Sequence, residues 1–157
     1  MTHEEYKTKF CNWKSRVKEV WMSWFECVAM VKNYCKEVRW YQVGRFWGTA
    51  YKGWANRKST FRFKKSIVWF ATVPVWSVVI FRPYAQLETK KPWTDERKLT
   101  KLWPEWHVAI VDYIDDDWVI RVIEQNWNWT STWIGWDAIR VRGYRGKKSV
   151  CGFILEK

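Results

Sequence analysis

The chain has 157 residues, of which 48% are hydrophobic and 28% are charged, so we expect one folded domain, residues 1–157, rather than a disordered chain or a separate wall-binding domain. No apolar run reaches the roughly 18–20 residues that a membrane-spanning helix needs, and the N-terminal MTHEEYKTKF lacks the pattern of a signal peptide. The net charge of +12 favours an anionic partner, which could be nucleic acid, membrane headgroups or an acidic cell-wall polymer. The alternative is a basic, solvated surface that binds no partner.

The N-terminal part of the chain shows helical spacing of apolar residues. This spacing predicts helix from Lys14 to Glu26 and an amphipathic helix from Cys27 to Val38. No proline or glycine separates the two runs, so they could form one helix, or two with Ser23 as a cap.

The remainder of the chain favours β-structure. Residues 44–66 are predicted to form loops with at most a short helix, and residues 83–104, which hold three of the four prolines, a long surface loop. Runs rich in Val, Ile and aromatic residues predict six strands, at Ile67–Ala71, Trp76–Arg82, His107–Tyr113, Trp118–Ile123, Ala138–Arg142 and Val150–Leu155. Helices followed by strands predict an α+β fold with a largely antiparallel sheet of about six strands.

Tryptophan and cysteine are informative for different reasons. One core cannot enclose 16 tryptophans, so we expect several to be exposed, where they could stack on a partner. The four cysteines form no CxxC pair and no zinc-like cluster with histidine. The sequence therefore predicts no metal site and no cofactor, and a thiol nucleophile is the better hypothesis.

The hairpin formed by the two central strands brings together a histidine and a carboxylate. His107 begins the first strand and Glu124 ends the second, and these ends lie side by side in an antiparallel hairpin. A carboxylate there can hold the tautomer of the imidazole and stabilise its charged form. The alternative is a surface ion pair at the open end of a hairpin.

Cys27 begins the amphipathic helix. A helix N-terminus favours a thiolate through its dipole and its free N–H groups, which could also bind an oxyanion. The alternative is a small buried core residue, which is the better interpretation for Cys35. With His107 as base, Cys27 suits acyl transfer and amide hydrolysis.

Five segments resemble the CHAP family of cysteine- and histidine-dependent amidohydrolases and peptidases. ECVAMVKNYCKE (26–37) resembles its nucleophile helix, HVAIVDY (107–113) its histidine strand and IEQNW (123–127) its acid-and-amide strand, with similar middle segments at 47–56 and 66–76. The resemblance covers most of the chain from about residue 25 and is greatest to phage endolysin domains. It implies a papain-like (NlpC/P60-type) α+β fold and cleavage of peptidoglycan, by endopeptidase or N-acetylmuramoyl-L-alanine amidase activity.

The resemblance also implies roles for individual residues. Cys27 would be the nucleophile, His107 the base and Glu124 the residue that orients it, and Asn126 would assist the imidazole. Trp127, Glu26 and Trp106 would contact the substrate. The location implied is the host cytoplasm and then the cell wall, or a virion.

Two substitutions motivate a second hypothesis. Glu26 stands where the family commonly has glutamine and Trp106 where it often has glycine. A carboxylate cannot donate to an oxyanion as an amide can, so the chain could instead be an impaired scaffold that binds the wall without cutting it. A third hypothesis, from the aromatic and basic YKGWANRKSTFRFKK, is a nucleic-acid binder.

Overall fold

The computed structural model describes residues 1–11, 15, 27–44, 50–67, 73–90, 97–101, 106–115, 119–125, 139–145 and 149–157. Nearly all of the helix predicted over 14–26, including Ser23, lies outside these residues. In the described part of the chain, four helices precede the first strand: α1 at His3–Phe10, α2 at Cys27–Arg39, α3 at Ala50–Ala55 and α4 at Arg57–Thr60. Helix α2 confirms the predicted amphipathic helix. No helix among the described residues is both long and apolar enough to span a membrane.

The strands form one antiparallel sheet with the spatial order β1-β8-β2-β5-β6-β7-β3-β4. Their bounds are Phe63–Ile67 for β1, Val78–Phe81 for β2, Gln86–Lys90 for β3, Arg97–Lys101 for β4, His107–Ile114 for β5, Val119–Gln125 for β6, Ile139–Arg145 for β7 and Val150–Glu156 for β8. The prediction of an α+β fold with an antiparallel sheet is confirmed. The sheet has eight strands, however, where the sequence predicted about six.

The two additional strands lie where the sequence predicted a surface loop. Residues 83–104 contain the β3–β4 hairpin, in which Glu88 pairs with Leu99. The long-loop prediction is therefore wrong. Pro83 lies outside the strands, where a missing N–H breaks no ladder bond, and Pro92 and Pro104 lie outside the described residues. Charged residues in QLETK and RKLTK obscured the strand pattern.

Two other predicted boundaries also differ from the structure. The first strand ends at Ile67 instead of beginning there, and residues 68–72 lie outside the described residues. Gly143, predicted to separate two strands, lies within β7 opposite Arg121. A Cβ at Gly143 would come within 2.5 Å of the Arg121 side chain, so a close side-chain contact accounts for a glycine in the middle of this strand.

Each face of the sheet carries its own hydrophobic core. Val108, Ile110 and Ile123 pack with α2 in one buried cluster. The alternate residues Ala109 and Val111 join a second cluster, with Ile120 and Val122 of β6. The strand alternation inferred from the sequence therefore holds across the β5–β6 hairpin.

Helix α2 is followed by a residue in the left-handed region of backbone conformation. The N–H of Tyr41 donates to the carbonyl of Cys35 at 3.3 Å, and Trp40 between them has φ 59°. This left-handed position usually holds glycine, because a Cβ there is strained. Trp40 is 77% exposed, so packing of its ring does not offset that strain.

Helix α1 is fastened to the sheet by a buried polar network. His3 lies 2.9 Å from Asp112 through Nε2 and 2.7 Å from the Tyr34 hydroxyl through Nδ1. Lys7 Nζ lies 2.8 Å from Asp112 Oδ1. Burial would raise the pKa of Asp112, but the hydrogen bonds from His3 and Lys7 outweigh it and lower that pKa. The network joins α1, α2 and β5.

Candidate active site

A histidine and a glutamate meet at one end of the β5–β6 hairpin. Ile110 pairs with Ile123 across this ladder, so Glu124 of β6 lies towards the start of β5, where His107 stands. Nε2 of His107 lies 2.7 Å from a carboxylate oxygen of Glu124. His107 is 6% exposed and Glu124 is fully buried, so this is not the surface ion pair of the alternative interpretation.

Cys27 approaches the same histidine from the helical layer. The described helix α2 begins at Cys27 and packs on β5 and β6. The Cys27 side chain makes a hydrogen bond with His107, and Cys27 is 3% exposed. The structure therefore brings together the three residues that the sequence placed in a cysteine–histidine–acid site.

The surroundings of His107 favour its charged form. Burial of the ring would lower its pKa, but the electrostatic interactions and hydrogen bonds with Cys27 and Glu124 outweigh it and raise the pKa of His107 to about 10. At neutral pH the imidazole is therefore protonated. A cation buried between a thiol and a carboxylate suits a thiolate–imidazolium pair.

The two nitrogens of His107 have separate tasks in this arrangement. Glu124 engages Nε2, which leaves Nδ1 as the nitrogen for the thiol of Cys27. A carboxylate behind the imidazole fixes its orientation and tautomer and stabilises the imidazolium. The three side chains can thus activate a nucleophile and later return a proton to a leaving group.

The other three cysteines have no histidine partner among the described residues. All four thiols are free. Burial raises the pKa of Cys35 to about 12 and, in the N-terminal segment, that of Cys11 also to about 12. Burial likewise raises the pKa of Cys151. Thiols held protonated by burial are poor nucleophiles, which singles out Cys27.

Three aromatic residues surround His107, of which the sequence identified only Trp106. Phe81 pairs with His107 across β2 and β5, and their rings stack with centroids 6.1 Å apart. Trp106 is partly buried against the α2 core, and its ring lies 4.9 Å from that of Tyr51 on α3. No sequence signal marked Phe81, because its role depends on which strand pairs with β5.

Several predicted site residues lie outside the described residues: Glu26, Asn126 and Trp127. The acidic turn after β5 is described only at Asp115, which accepts hydrogen bonds from the Val119 N–H at 2.9 Å and from Arg121 at 3.1 Å. Asp115 therefore stabilises the turn of the hairpin.

The second histidine also pairs with a carboxylate, but its environment is different. Both ring nitrogens of His3 are engaged, by Tyr34 and Asp112, and burial raises the pKa of the Tyr34 hydroxyl. His3, Glu4 and Asp112 offer ligand atoms within 4.8 Å of one another, yet Lys7 already contacts the same oxygen of Asp112. A cation would have to displace that ammonium, so the cluster is structural.

An open pocket of about 560 Å³ lies at the other end of α2. Its lining is Met1, Lys36, Glu37, Trp40, Tyr41 and Gln42. Along α2, Lys36 lies nine residues after Cys27, which is about 14 Å at 1.5 Å per residue. The pocket therefore takes no part in chemistry at Cys27.

Comparison with known proteins yields no match of this chain to a family model, to a curated protein or to a solved structure.

Proposed function

We propose that this protein is a cysteine amidohydrolase or peptidase in which Cys27 is the nucleophile, His107 the general acid and base, and Glu124 the residue that orients His107. The observation that carries the proposal is the position of His107, which is hydrogen-bonded on one side to Cys27 and on the other to a fully buried carboxylate. If these three residues served only to stabilise the fold, a charged imidazole beside a thiol would not be needed.

The reaction proceeds in two acyl-transfer steps. The thiolate of Cys27 attacks the amide carbonyl carbon, and the imidazolium of His107 gives its proton to the departing amine, which leaves an acyl-enzyme thioester. Water then loses a proton to His107 and attacks the thioester, and the proton returns to the Cys27 sulfur. The backbone N–H groups at the start of α2 are available to stabilise the oxyanion of each tetrahedral intermediate.

The proposed substrate is peptidoglycan, cut in its stem peptide or cross-bridge. This choice rests on the CHAP resemblance of the segments around Cys27, His107 and Glu124. A helix bearing the cysteine, packed on antiparallel strands bearing the histidine and the acid, supports a papain-like arrangement. Such an enzyme would act on the wall at the end of phage growth or from the virion.

The aromatic pair beside the site is proposed to hold the substrate. Tyr51 is 48% exposed and its ring contacts Trp106, the residue before His107. A half-exposed aromatic surface next to a buried nucleophile can cover the apolar side of an extended chain while leaving its carbonyl towards Cys27. Trp127 and Glu26 are proposed to contact the substrate too, and Asn126 to assist His107.

The test is digestion of purified peptidoglycan by the unmodified protein and by Cys27→Ala and Cys35→Ala variants. Both variants remove a buried thiol from α2, so Cys35→Ala controls for the loss of volume. We expect soluble fragments from the unmodified protein and from Cys35→Ala, and none from Cys27→Ala. New termini identified by mass spectrometry would name the bond. Equal release by all three folded proteins, or by none across several wall types, would contradict the proposal and favour the impaired scaffold.

A further inference from the structure

The net positive charge of this chain is concentrated in one stretch of sequence that lacks acidic residues. No aspartate or glutamate occurs between Glu37 and Glu88, although acidic residues occur on both sides of that interval. The interval contains nine basic residues: Arg39, Arg45, Lys52, Arg57, Lys58, Arg62, Lys64, Lys65 and Arg82. The net positive charge is therefore unevenly distributed along the chain.

Six of these cations lie on three consecutive elements, α3, α4 and β1, and the loop before β1. We call this set the basic face, and its members are Lys52, Arg57, Lys58, Arg62, Lys64 and Lys65. All are exposed except Arg57, which is partly buried. Strand β1 lies at one end of the strand order, and among the described residues its one pairing partner is β8. An edge strand with exposed lysines leaves room for an extended ligand beside the sheet.

The two arginines of the basic face are fixed by aromatic rings. The Arg57 guanidinium lies 4.5 Å from the centre of the Trp54 ring and donates to the Ser66 hydroxyl at 3.2 Å. The Arg62 guanidinium lies 4.7 Å from the centre of the Tyr41 ring. Such contacts hold the charges in place and at the same time cover the aromatic faces.

The three lysines at the rim of the face are available for a ligand. The side chains of Lys58, Lys64 and Lys65 form no ion pair or hydrogen bond with any other residue that the structure describes. Glu156 on β8, the strand that pairs with β1, has a side chain only 2% exposed and accepts a hydrogen bond from Tyr41. Its carboxylate also pairs with Arg39 rather than with these lysines.

We propose that the basic face binds a linear phosphodiester polymer of the cell wall, of the poly(glycerol phosphate) type. Fixed arginines and exposed lysines complement a chain of regularly spaced phosphates. A nucleic acid fits less well, because single-stranded binding depends on bases stacking on open aromatic rings, and arginines cover the rings of Trp54 and Tyr41. The choice of a wall polymer rests on the proposed function, whereas the polyanion site itself does not.

The basic face adjoins the candidate active site through α3. This helix packs on β2 and β5 and carries Lys52 next to Tyr51, whose ring contacts Trp106. A polymer held along α3, α4 and β1 would therefore keep the site close to the wall. The catalytic domain would then bind the wall itself.

The experiment measures binding of soluble poly(glycerol phosphate) between 50 and 200 mM salt. The polymer has no amide bond, and every protein carries Cys27→Ala, so hydrolysis cannot affect the result. The first variant adds Lys58→Gln, Lys64→Gln and Lys65→Gln. The matched control adds Lys9→Gln, Lys32→Gln and Lys36→Gln, which remove the same charge from α1 and α2. Single-stranded poly(dT) of equal charge is the competing ligand, and circular dichroism verifies folding.

We expect the Cys27→Ala protein and the control to bind the polymer more tightly than poly(dT). The Lys58/Lys64/Lys65 variant should bind more weakly, with a slope of log affinity against log salt that is smaller by about 2–3, or roughly 0.7–0.9 for each phosphate that the variant no longer neutralises. Equal weakening in both triple variants would overturn the proposal, because net charge alone would then explain binding. Absence of binding at 50 mM salt would overturn it as well, and tighter binding of poly(dT) would assign the face to nucleic acid.

Discussion

Replacing Glu124 with glutamine isolates the electrostatic contribution of the carboxylate behind His107. Glutamine has nearly the same shape and can still accept a hydrogen bond at the 2.7 Å separation seen between Nε2 and Glu124. It lacks the negative charge that helps to raise the pKa of His107 to about 10. The variant therefore retains the packing of a fully buried side chain while weakening the thiolate–imidazolium pair.

The expected loss follows from the change in the kind of hydrogen bond. A hydrogen bond to a charged group contributes about 1.5–3 kcal/mol and a neutral one about 0.5–1.5 kcal/mol, so the substitution should cost about 1–1.5 kcal/mol. Each 1.4 kcal/mol corresponds to a factor of ten in rate, so Glu124→Gln should lower kcat/KM by roughly 5- to 12-fold. Because the proposed substrate contacts are Tyr51 and Trp106 and not Glu124, the loss should fall on kcat and not on KM.

The pH profile gives a second and more specific signature. In the unmodified protein, His107 loses its proton only as the pH rises through about 10, so activity should persist through neutral pH and fall near pH 10. Without the Glu124 charge the pKa of His107 is lower, and the alkaline limb should move to lower pH. The assay is release of new amino groups from peptidoglycan, measured between pH 6 and 11.

Glu156→Gln is the matched control for this substitution. Glu156 also lies on a strand of the sheet with a buried side chain, but it accepts a hydrogen bond from Tyr41 instead of a histidine. Glu156→Gln should leave the alkaline limb in place. An unmoved alkaline limb in a folded Glu124→Gln variant would refute the role of Glu124 as the electrostatic partner of His107, whatever the change in rate.

Three further predictions concern stability. The raised pKa of His107 contributes stability that is fully present below pH 6.5 and is lost as the pH rises through about 10, which pH-dependent urea unfolding would detect. Trp40→Gly should raise Tm by about 2–4 °C, because relief of the φ 59° strain is worth about 1 kcal/mol; Trp40→Ala, which keeps the Cβ, should not raise it. Asp112→Asn should cost about 1–3 kcal/mol at neutral pH, and thermal melts should show the deficit shrinking as the pH falls below the ordinary value of 3.8.

The parts of the fold set by local patterns could be predicted from the sequence. Helix α2 has a strong amphipathic period, and the β5–β6 hairpin has two short runs of largely apolar residues around an acidic turn. His107 and Glu124 could be placed together because a hairpin joins strands that are neighbours in sequence. Cys27 was connected to them by a family resemblance, since no spacing rule brings a helix eighty residues away onto a particular strand.

The parts set by long-range pairing could not be predicted. Strand β2 lies between β8 and β5, and this crossing places Phe81 against His107. The β3–β4 hairpin was missed because its residues are charged and a helix or loop satisfies the same composition. His3 was missed for a related reason, since its partners Tyr34 and Asp112 are 31 and 109 residues away.

The two histidine–carboxylate pairs show why burial alone does not identify a catalytic group. His3 and His107 are both buried, and each lies within 2.9 Å of a carboxylate oxygen. The second ring nitrogen of His3 meets a phenol whose proton is held by burial, whereas His107 meets the thiol of Cys27. A phenol held in its neutral form cannot attack a carbonyl, whereas a thiolate beside an imidazolium can. The identity of the group on the far side of the imidazole therefore distinguishes the structural pair from the reactive one.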